Sequence, residues 1–175
     1  DIAPLRIVSW DIETMSFHGN FPKPDVPENV VMNIGATTQI FGEKETQNYI
    51  FCLGNLSKPV ENADTRTFET ERDELVAWWK WMVHDFDPDV MITFNGRSFD
   101  WAFLEKRAKI TNCYELFRCW SKMRTDKSTL KRKESSSKQK GSRESFRWDN
   151  TFGRYDFDIY LYFLNSVSYK FRSYS

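Results

Sequence analysis

The stretch Leu5-Arg6-Ile7-Val8-Ser9-Trp10-Asp11-Ile12-Glu13-Thr14 decides how the rest of the chain is read. On an extended backbone Val8, Trp10 and Ile12 share one face, Ser9 and Asp11 the other, and Glu13 continues the second set. Leu5–Ile12 therefore reads as a strand with one buried face. Asp11 and Glu13 project together from the opposite one. A second strand ends in a similar way. Val90–Phe94 reads as a short apolar strand, central in a sheet, followed by the turn Asn95-Gly96-Arg97-Ser98 and then by Asp100. Sheets of the α/β class usually present their ligands at the carboxyl ends of strands.

Working outward, Val30–Phe41 and Thr46–Leu53 are apolar and β-branched, separated by Gly42-Glu43-Lys44-Glu45, a hairpin signal. Phe17–Glu28 holds Pro22, Pro24 and Pro27 and reads as a loop. Leu56–Thr67 is polar and irregular. Leu75, Trp78, Trp79, Met82, Val83 and Phe86 form one stripe of helical period. Thr70 is the expected N-cap, Glu71, Asp73 and Glu74 fill a first turn that favours anions, and Asp87-Pro88 stops the helix. The tryptophans read as core, and His84 falls on the solvated side. Phe99–Lys109 is a second helix with Phe103 and Leu104 inward. Asp158–Val167 is helix or buried strand, which periodicity alone does not decide. The order predicts an α/β domain, a mixed sheet flanked by helices.

The chain has 175 residues, 40% hydrophobic and 17% aromatic, enough for a core in a single domain. No apolar run approaches the roughly 18 residues of a membrane span, and no signal-peptide pattern opens the chain. The 25 basic and 25 acidic side chains cancel, but not evenly. Residues 118–147 carry 11 basic and 3 acidic groups, a net of +8, while residues 1–117 carry 11 and 19, a net of −8. Cys52, Cys113 and Cys119 show no paired spacing, and with His18 and His84 the only histidines, zinc motifs are excluded. No phosphate-binding glycine loop and no G-x-S-x-G occur. Any chemistry rests on carboxylates.

Asp11, Glu13 and Asp100, converging at strand ends, would repel one another unless a cation neutralised them. Hard divalent ions with oxygen ligands, Mg²⁺ or Mn²⁺, suit that set. A pair of them about 3.5–4 Å apart can span an attacking water and a leaving oxygen on a phosphodiester. A nuclease is the sharp reading. Taken alone, a D-x-E at a strand end reads first as a solvated acidic turn.

Ser9-Trp10-Asp11-Ile12-Glu13-Thr14 resembles the first exonuclease motif of the proofreading domains of B-family DNA polymerases. Thr93-Phe94-Asn95-Gly96-Arg97-Ser98-Phe99-Asp100 is similar to their second. The likeness continues through Ala3-Pro4-Leu5-Arg6, Phe21-Pro22, Asp87-Pro88-Asp89-Val90, Arg107-Ala108, Gly153-Arg154, Phe157-Asp158 and Arg172-Ser173-Tyr174-Ser175, in the style of delta-type enzymes of eukaryotes and large DNA viruses. The resemblance implies a ribonuclease-H-like (DnaQ-like) fold that removes mismatched 3′-terminal nucleotides. It implies Asp11, Glu13 and Asp100 as catalytic ligands of two Mg²⁺ or Mn²⁺ ions, Asn95 in contact with the terminal nucleotides or bound water, and Phe99 beside the terminal base. For Phe99 an ordinary place in the core at a helix start is the equal alternative. Trp10 stands where the family more often has Phe. The family's third motif, a Tyr and an Asp four residues later, is expected beyond Ser175. Tyr155 and Asp158 are three apart and are not assigned to it. Asp1 in place of Met and an uncapped end suggest a fragment, residues 1–175 of a partial exonuclease domain truncated at its C-terminus and inactive by itself.

The basic insert at 118–147 has two readings. Lys131, Arg132, Lys133, Lys138 and Lys140, with Arg143 and Arg147, could track phosphates, in line with a hairpin that the family often uses to guide the primer end. The other reading is a solvated loop. Implied partners are DNA, as a single-stranded 3′ end or primer-template, the rest of a polymerase chain and a processivity clamp, with no membrane. The implied location is the nucleus or the replication compartment of a large DNA virus. Two alternatives stay open: a free-standing DnaQ-like exonuclease, and a non-catalytic nucleic-acid-binding module of the same fold.

Overall fold

The structure, a computed structural model, describes residues 2–16, 19–58, 60–123, 126–137 and 141–165, with the backbone alone at 135–137 and 141–143. Lys138, Lys140, the side chain of Arg143, Val167 and the closing Arg172–Ser175 segment lie outside the described residues.

Six strands form one mixed sheet. The first three are β1 (Arg6–Thr14), β2 (Val31–Ile40) and β3 (Thr46–Leu53), followed by β4 (Ala63–Phe68), β5 (Val90–Thr93) and β8 (Tyr155–Asp158). Their order is β4-β3-β2-β1-β5-β8. β1 pairs antiparallel with β2, and β2 with β3, the second pairing being the hairpin expected across the Gly42 turn. β5 lies parallel between β1 and β8, so it is central as expected. β6 (Leu130–Ser137) and β7 (Gly141–Trp148) form a separate antiparallel ribbon.

Helices α1 (Glu71–Lys80), α2 (Asp100–Ile110) and α3 (Tyr114–Phe117) bury their apolar sides on the Val8–Trp10–Ile12 face. Trp10 meets Trp78 and Trp101 at centroid distances of 5.0 and 4.6 Å, and Trp101 meets Trp120 at 5.1 Å. This slab of tilted and edge-to-face rings is the core. A short α4 (Ile159–Asn165) follows β8 directly, so the apolar run after Asp158 is helical.

Two expectations need correction, and a third is met only in part. Residues 56–67 are not wholly irregular: β4 pairs parallel with β3 at the sheet's edge. Its sequence shows no alternation because an edge strand buries little, and Arg66 lies over the Tyr49 and Phe51 rings instead. The α1 stripe does not run unbroken to Phe86. A π turn at Trp81–Asp85, closed by Phe86 N–H to the Trp81 carbonyl, widens the last turn. Trp81, off the stripe at a period of 3.6, is thereby buried and stacked on Phe86. Finally, Glu71 and Glu74 lie in the first turn as expected, but both are buried, so the helix dipole alone does not account for them. Glu71 pairs with Arg107 at 2.6 Å and accepts from the Val31 amide. Glu74 has no hydrogen-bond partner, and burial, then the neighbouring Glu71, pushes its carboxyl up to about 9.

Several segments singled out in the sequence act as staples. Arg6 N–H donates to the Asp89 carboxylate, which locks the starts of β1 and β5 together. Buried Arg154 donates to the carbonyls of Trp120, Pro88 and Val83 and pairs with Asp87 at 2.7 Å. Arg107 reaches past Glu71 to the carbonyls of Pro24, Val26 and Pro27, and so pins the proline loop to α1 and α2.

Candidate active site and nucleic-acid interface

Because β1, β5 and β8 are mutually parallel, their carboxyl ends share one edge of the sheet. Asp11 and Glu13 leave β1 on its exposed face while Trp10 and Ile12 plug the core, which is the division the alternation requires. Asp100 opens α2 at the same edge and is buried, at 3% exposure.

Between β5 and α2 the chain makes a tight turn. Asn95 sits in the left-handed region at φ 66°, where asparagine is more tolerant than most side chains. Gly96 follows, pressed so close that a β-carbon there would stand 2.6 Å from Thr93 Cβ. A glycine is therefore required by contact. Asp158, at the end of β8, accepts from the amides of Asn95 at 3.1 Å and Arg97 at 3.0 Å, and caps α4 through the Leu161 amide. Asp156 accepts from Arg97 Nε at 2.7 Å and from Trp101 Nε1.

The carboxylates thus divide into two kinds. Asp156 and Asp158 have their oxygens occupied by protein donors. Among the described residues Asp11, Glu13 and Asp100 make no hydrogen bond to another side chain and no ion pair. Burial raises the Asp11 carboxyl, the Ile12 amide partly offsets it, and Glu13 raises it further. Asp100 is pushed up to about 7, first by burial and then by the fields of Asp11, Asp158 and Glu13. The donor set is all oxygen, negatively charged and short of a cation, which fits a hard divalent ion. No three acidic, histidine or cysteine side chains among the described residues form a ready-made ligand cluster.

A groove of about 490 Å³ runs along the open sheet face from Asp11, lined by Ser9, Thr37, Asn48, Ile50 and Phe94. Phe94 is 54% exposed, and Phe21 is 74% exposed and leans edge-on against Phe99 at 5.2 Å. Phe99 is half-buried, touching Phe103 on its core side. It packs as a core residue at a helix start on one side and against exposed Phe21 on the other.

The β6–β7 ribbon stands beside this turn. Leu130, Phe146 and Trp148 seat its base on the core, and the Phe146 amide donates to the Arg97 carbonyl. Lys131, Arg132 and Lys133 are exposed. Arg132 is held by Glu134 and Glu144, and Lys131 lies 3.5 Å from Asp149, whereas Lys133 has no ion pair among the described residues. The stretch before the ribbon is not a basic arm: Trp120 is fully buried and Lys122 pairs with Asp89 at 2.5 Å.

Sequence reasoning brought Asp11, Glu13, Asn95, Phe99 and Asp100 to one edge, where the structure also has them. It missed Asp158, Phe94 and Arg97. The alternation Tyr155-Asp156-Phe157-Asp158 before an apolar helix was the available signal for Asp158, as a strand end that doubles as a helix cap.

The sequence model of the DNA polymerase family B exonuclease domain matches residues 1–175. The chain is 33% identical over 97% of its length to the DNA polymerase delta catalytic subunit of Oryza sativa, covering 16% of that protein. It is 32% identical to the same subunit of Schizosaccharomyces pombe and 30% to that of Bos taurus, over 99% of this chain and 15% of each relative. It thus spans about a sixth of the length of these relatives, with the matches running through both acidic motifs and the hairpin. The chain belongs to the exonuclease domain family of the B-family DNA polymerases.

Proposed function

We propose that this chain is the proofreading part of a replicative DNA polymerase, hydrolysing the 3′-terminal phosphodiester of a single-stranded DNA end. The observation that carries the reading is the trio Asp11, Glu13 and Asp100 at one sheet edge, with no side-chain donor and no ion pair among the described residues, beside two aspartates held by Arg97 and by the Asn95, Arg97 and Leu161 amides. The β1–β3 meander followed by parallel β5 supports a ribonuclease-H-like arrangement of that edge. Asp11 and Glu13 would hold a divalent cation from the exposed side and Asp100 from the buried side. A bound pair of Mg²⁺ or Mn²⁺ ions would supply an activated water and charge neutralisation at the phosphate. The protein's own part is positioning. Asn95, fixed by Asp158, presents its amide beside the acidic trio, and exposed Phe21 and Phe94 offer faces on which unpaired bases stack. Lys131, Lys133 and Arg147 draw the phosphate backbone toward the ribbon, and Lys138 and Lys140 extend the same run in sequence. Nucleotide addition belongs to polymerase motifs that this chain does not contain, and the place of action is the nucleus.

The test is 3′→5′ degradation of a labelled single strand by the full polypeptide with Mg²⁺ or Mn²⁺. Asp11→Ala should abolish it. Because Asp11 is exposed, that change should shift unfolding free energy by no more than about 0.5 kcal/mol. Undiminished degradation by the variant would falsify the assignment, and binding without hydrolysis by the parent would favour the non-catalytic module.

A further inference from the structure

We propose that Arg97 is a positioning residue that couples the β6–β7 ribbon to the turn presenting Asn95 and Asp100, so that the seating of the ribbon sets the geometry of the acidic edge. The proposal rests on the nuclease reading for its functional consequence, but on contacts alone for the coupling.

Arg97 is held from three sides. Its amide donates to Asp158 Oδ2 at 3.0 Å. Its guanidinium donates to Asp156 Oδ2 at 2.7 Å and also to the Asp156 carbonyl. Its own carbonyl accepts from the Phe146 amide at 2.5 Å. In the ribbon Phe146 stands opposite Arg132. Since the Phe146 N–H goes to Arg97, it points away from β6, and the ribbon joins the turn by the outer edge of β7. Two elements that are not neighbours in the sheet, β8 and β7, thus grip one residue from opposite sides. Asp156 and Asp158 are buried. They are therefore a stiff seat, and Asp156 is further fixed by Trp101.

Arg97 is two residues from Asn95 and three from Asp100, too few for the turn to absorb a displacement by bending. A ribbon shifted along the turn must stretch either the Phe146–Arg97 bond or the Asp158 bonds to Asn95 and Arg97. Nucleic acid drawn to exposed Lys133 would act on the ribbon, and its load reaches the Asn95 turn through this carbonyl, beside the route by which Trp148 packs on Trp101. Gly96, packed on Thr93, closes off the other way the turn could yield.

Phe146→Pro tests this, because it deletes the one N–H without touching the β6–β7 ladder, and Phe146→Ala is its partner because it deletes the ring and keeps the N–H. Two readouts are made on the full polypeptide: amide hydrogen exchange at Asn95 and Arg97, and hydrolysis of the p-nitrophenyl ester of thymidine 5′-monophosphate, a substrate too short to touch the ribbon. Loss of the bond should speed exchange at both amides about tenfold in Phe146→Pro and little in Phe146→Ala. It should also lower kcat for the short ester about tenfold with KM unchanged, the mark of lost positioning rather than lost binding. Unchanged exchange in Phe146→Pro, equal effects of the two variants, or an effect confined to KM for long single strands would each overturn the coupling. If the parent does not hydrolyse the ester, the nuclease reading fails, and the exchange result still decides the coupling. Should Phe146→Pro fail to fold, exchange in the parent decides: the Phe146 amide should be protected to the same degree as those of Asn95 and Arg97, and a Phe146 amide exchanging as fast as an open one would overturn the coupling.

Discussion

Replacing Glu74 by Gln should change how the stability of this domain depends on pH, and the structure sets both sign and size. Glu74 is fully buried, neither carboxyl oxygen has a hydrogen-bond partner, and its carboxyl is pushed up to about 9 from the ordinary 4.5 by burial and by Glu71. The folded chain therefore keeps a proton that the unfolded chain releases above about 4.5. Stability linked to this group is fully present below 4.5, falls as pH rises, and levels off only near 9. The slope is about 1.4 kcal/mol per pH unit for one proton, so the loss accumulated by pH 7 is on the order of 3 kcal/mol. At pH 7 the buried group is still protonated, so the loss at that pH is set by the unfolded value. Gln has the same shape and no titration. Urea unfolding of both proteins across pH 5 to 8 should show the variant gaining on the parent by roughly 1 kcal/mol per unit. Its amide needs partners too, so the offset between the two curves carries no weight and the slope alone decides. Groups common to both proteins cancel in the difference. Parallel curves would refute the picture of a neutral, unpaired Glu74 in the core.

Three further outcomes follow from contacts. Gly96→Ala drives a β-carbon against Thr93 Cβ, which is strand backbone-bound and cannot swing away, so it should lower stability by about 1–3 kcal/mol in denaturant melts. Arg107→Ala leaves buried Glu71 unpaired and frees the carbonyls of Pro24, Val26 and Pro27; a loss of about 3–5 kcal/mol is expected, with limited proteolysis moving to residues 19–29. On the ribbon, Lys133→Ala should reduce the log–log salt slope of single-strand binding by about 1, whereas Arg132→Ala, already held by Glu134 and Glu144, should reduce it far less; equal slopes would make the ribbon a solvated loop.

What the sequence made legible was local. Alternation in β1 and the glycine turn between β2 and β3 are written within ten residues, and so is the Thr70 cap, whose hydroxyl accepts from the Asp73 amide as expected. The parts that were not legible depend on distant partners. Glu71 and Glu74 look alike in a first turn; only Arg107, 36 residues on, makes one an ion pair while the other is left neutral. The π turn is set by the room that Tyr49 and Phe51 offer the Trp81 ring, and no local pattern encodes that. β4 carries too little buried surface to show a period.

The same distinction bears on the acidic site. Five carboxylates, Asp11, Glu13, Asp100, Asp156 and Asp158, fall at or near one end of three parallel strands, and composition cannot rank them. Their donors can. A carboxylate already accepting two or three N–H bonds has most of its roughly four acceptor sites committed, and displacing those donors would leave buried amides unpaired at about 1–3 kcal/mol each. Asp158 holds three such bonds and Asp156 a guanidinium, so their work is to fix the turn. Asp11, Glu13 and Asp100 hold no side-chain donors, and Asp100 is left at about 7 by burial and by its acidic neighbours. A buried acid left in that condition is destabilising unless something positive arrives. The mutual repulsion of unpaired carboxylates at this edge is thus the physical reason why, under the proposed reading, a cation would be held by these three residues and not by Asp156 and Asp158.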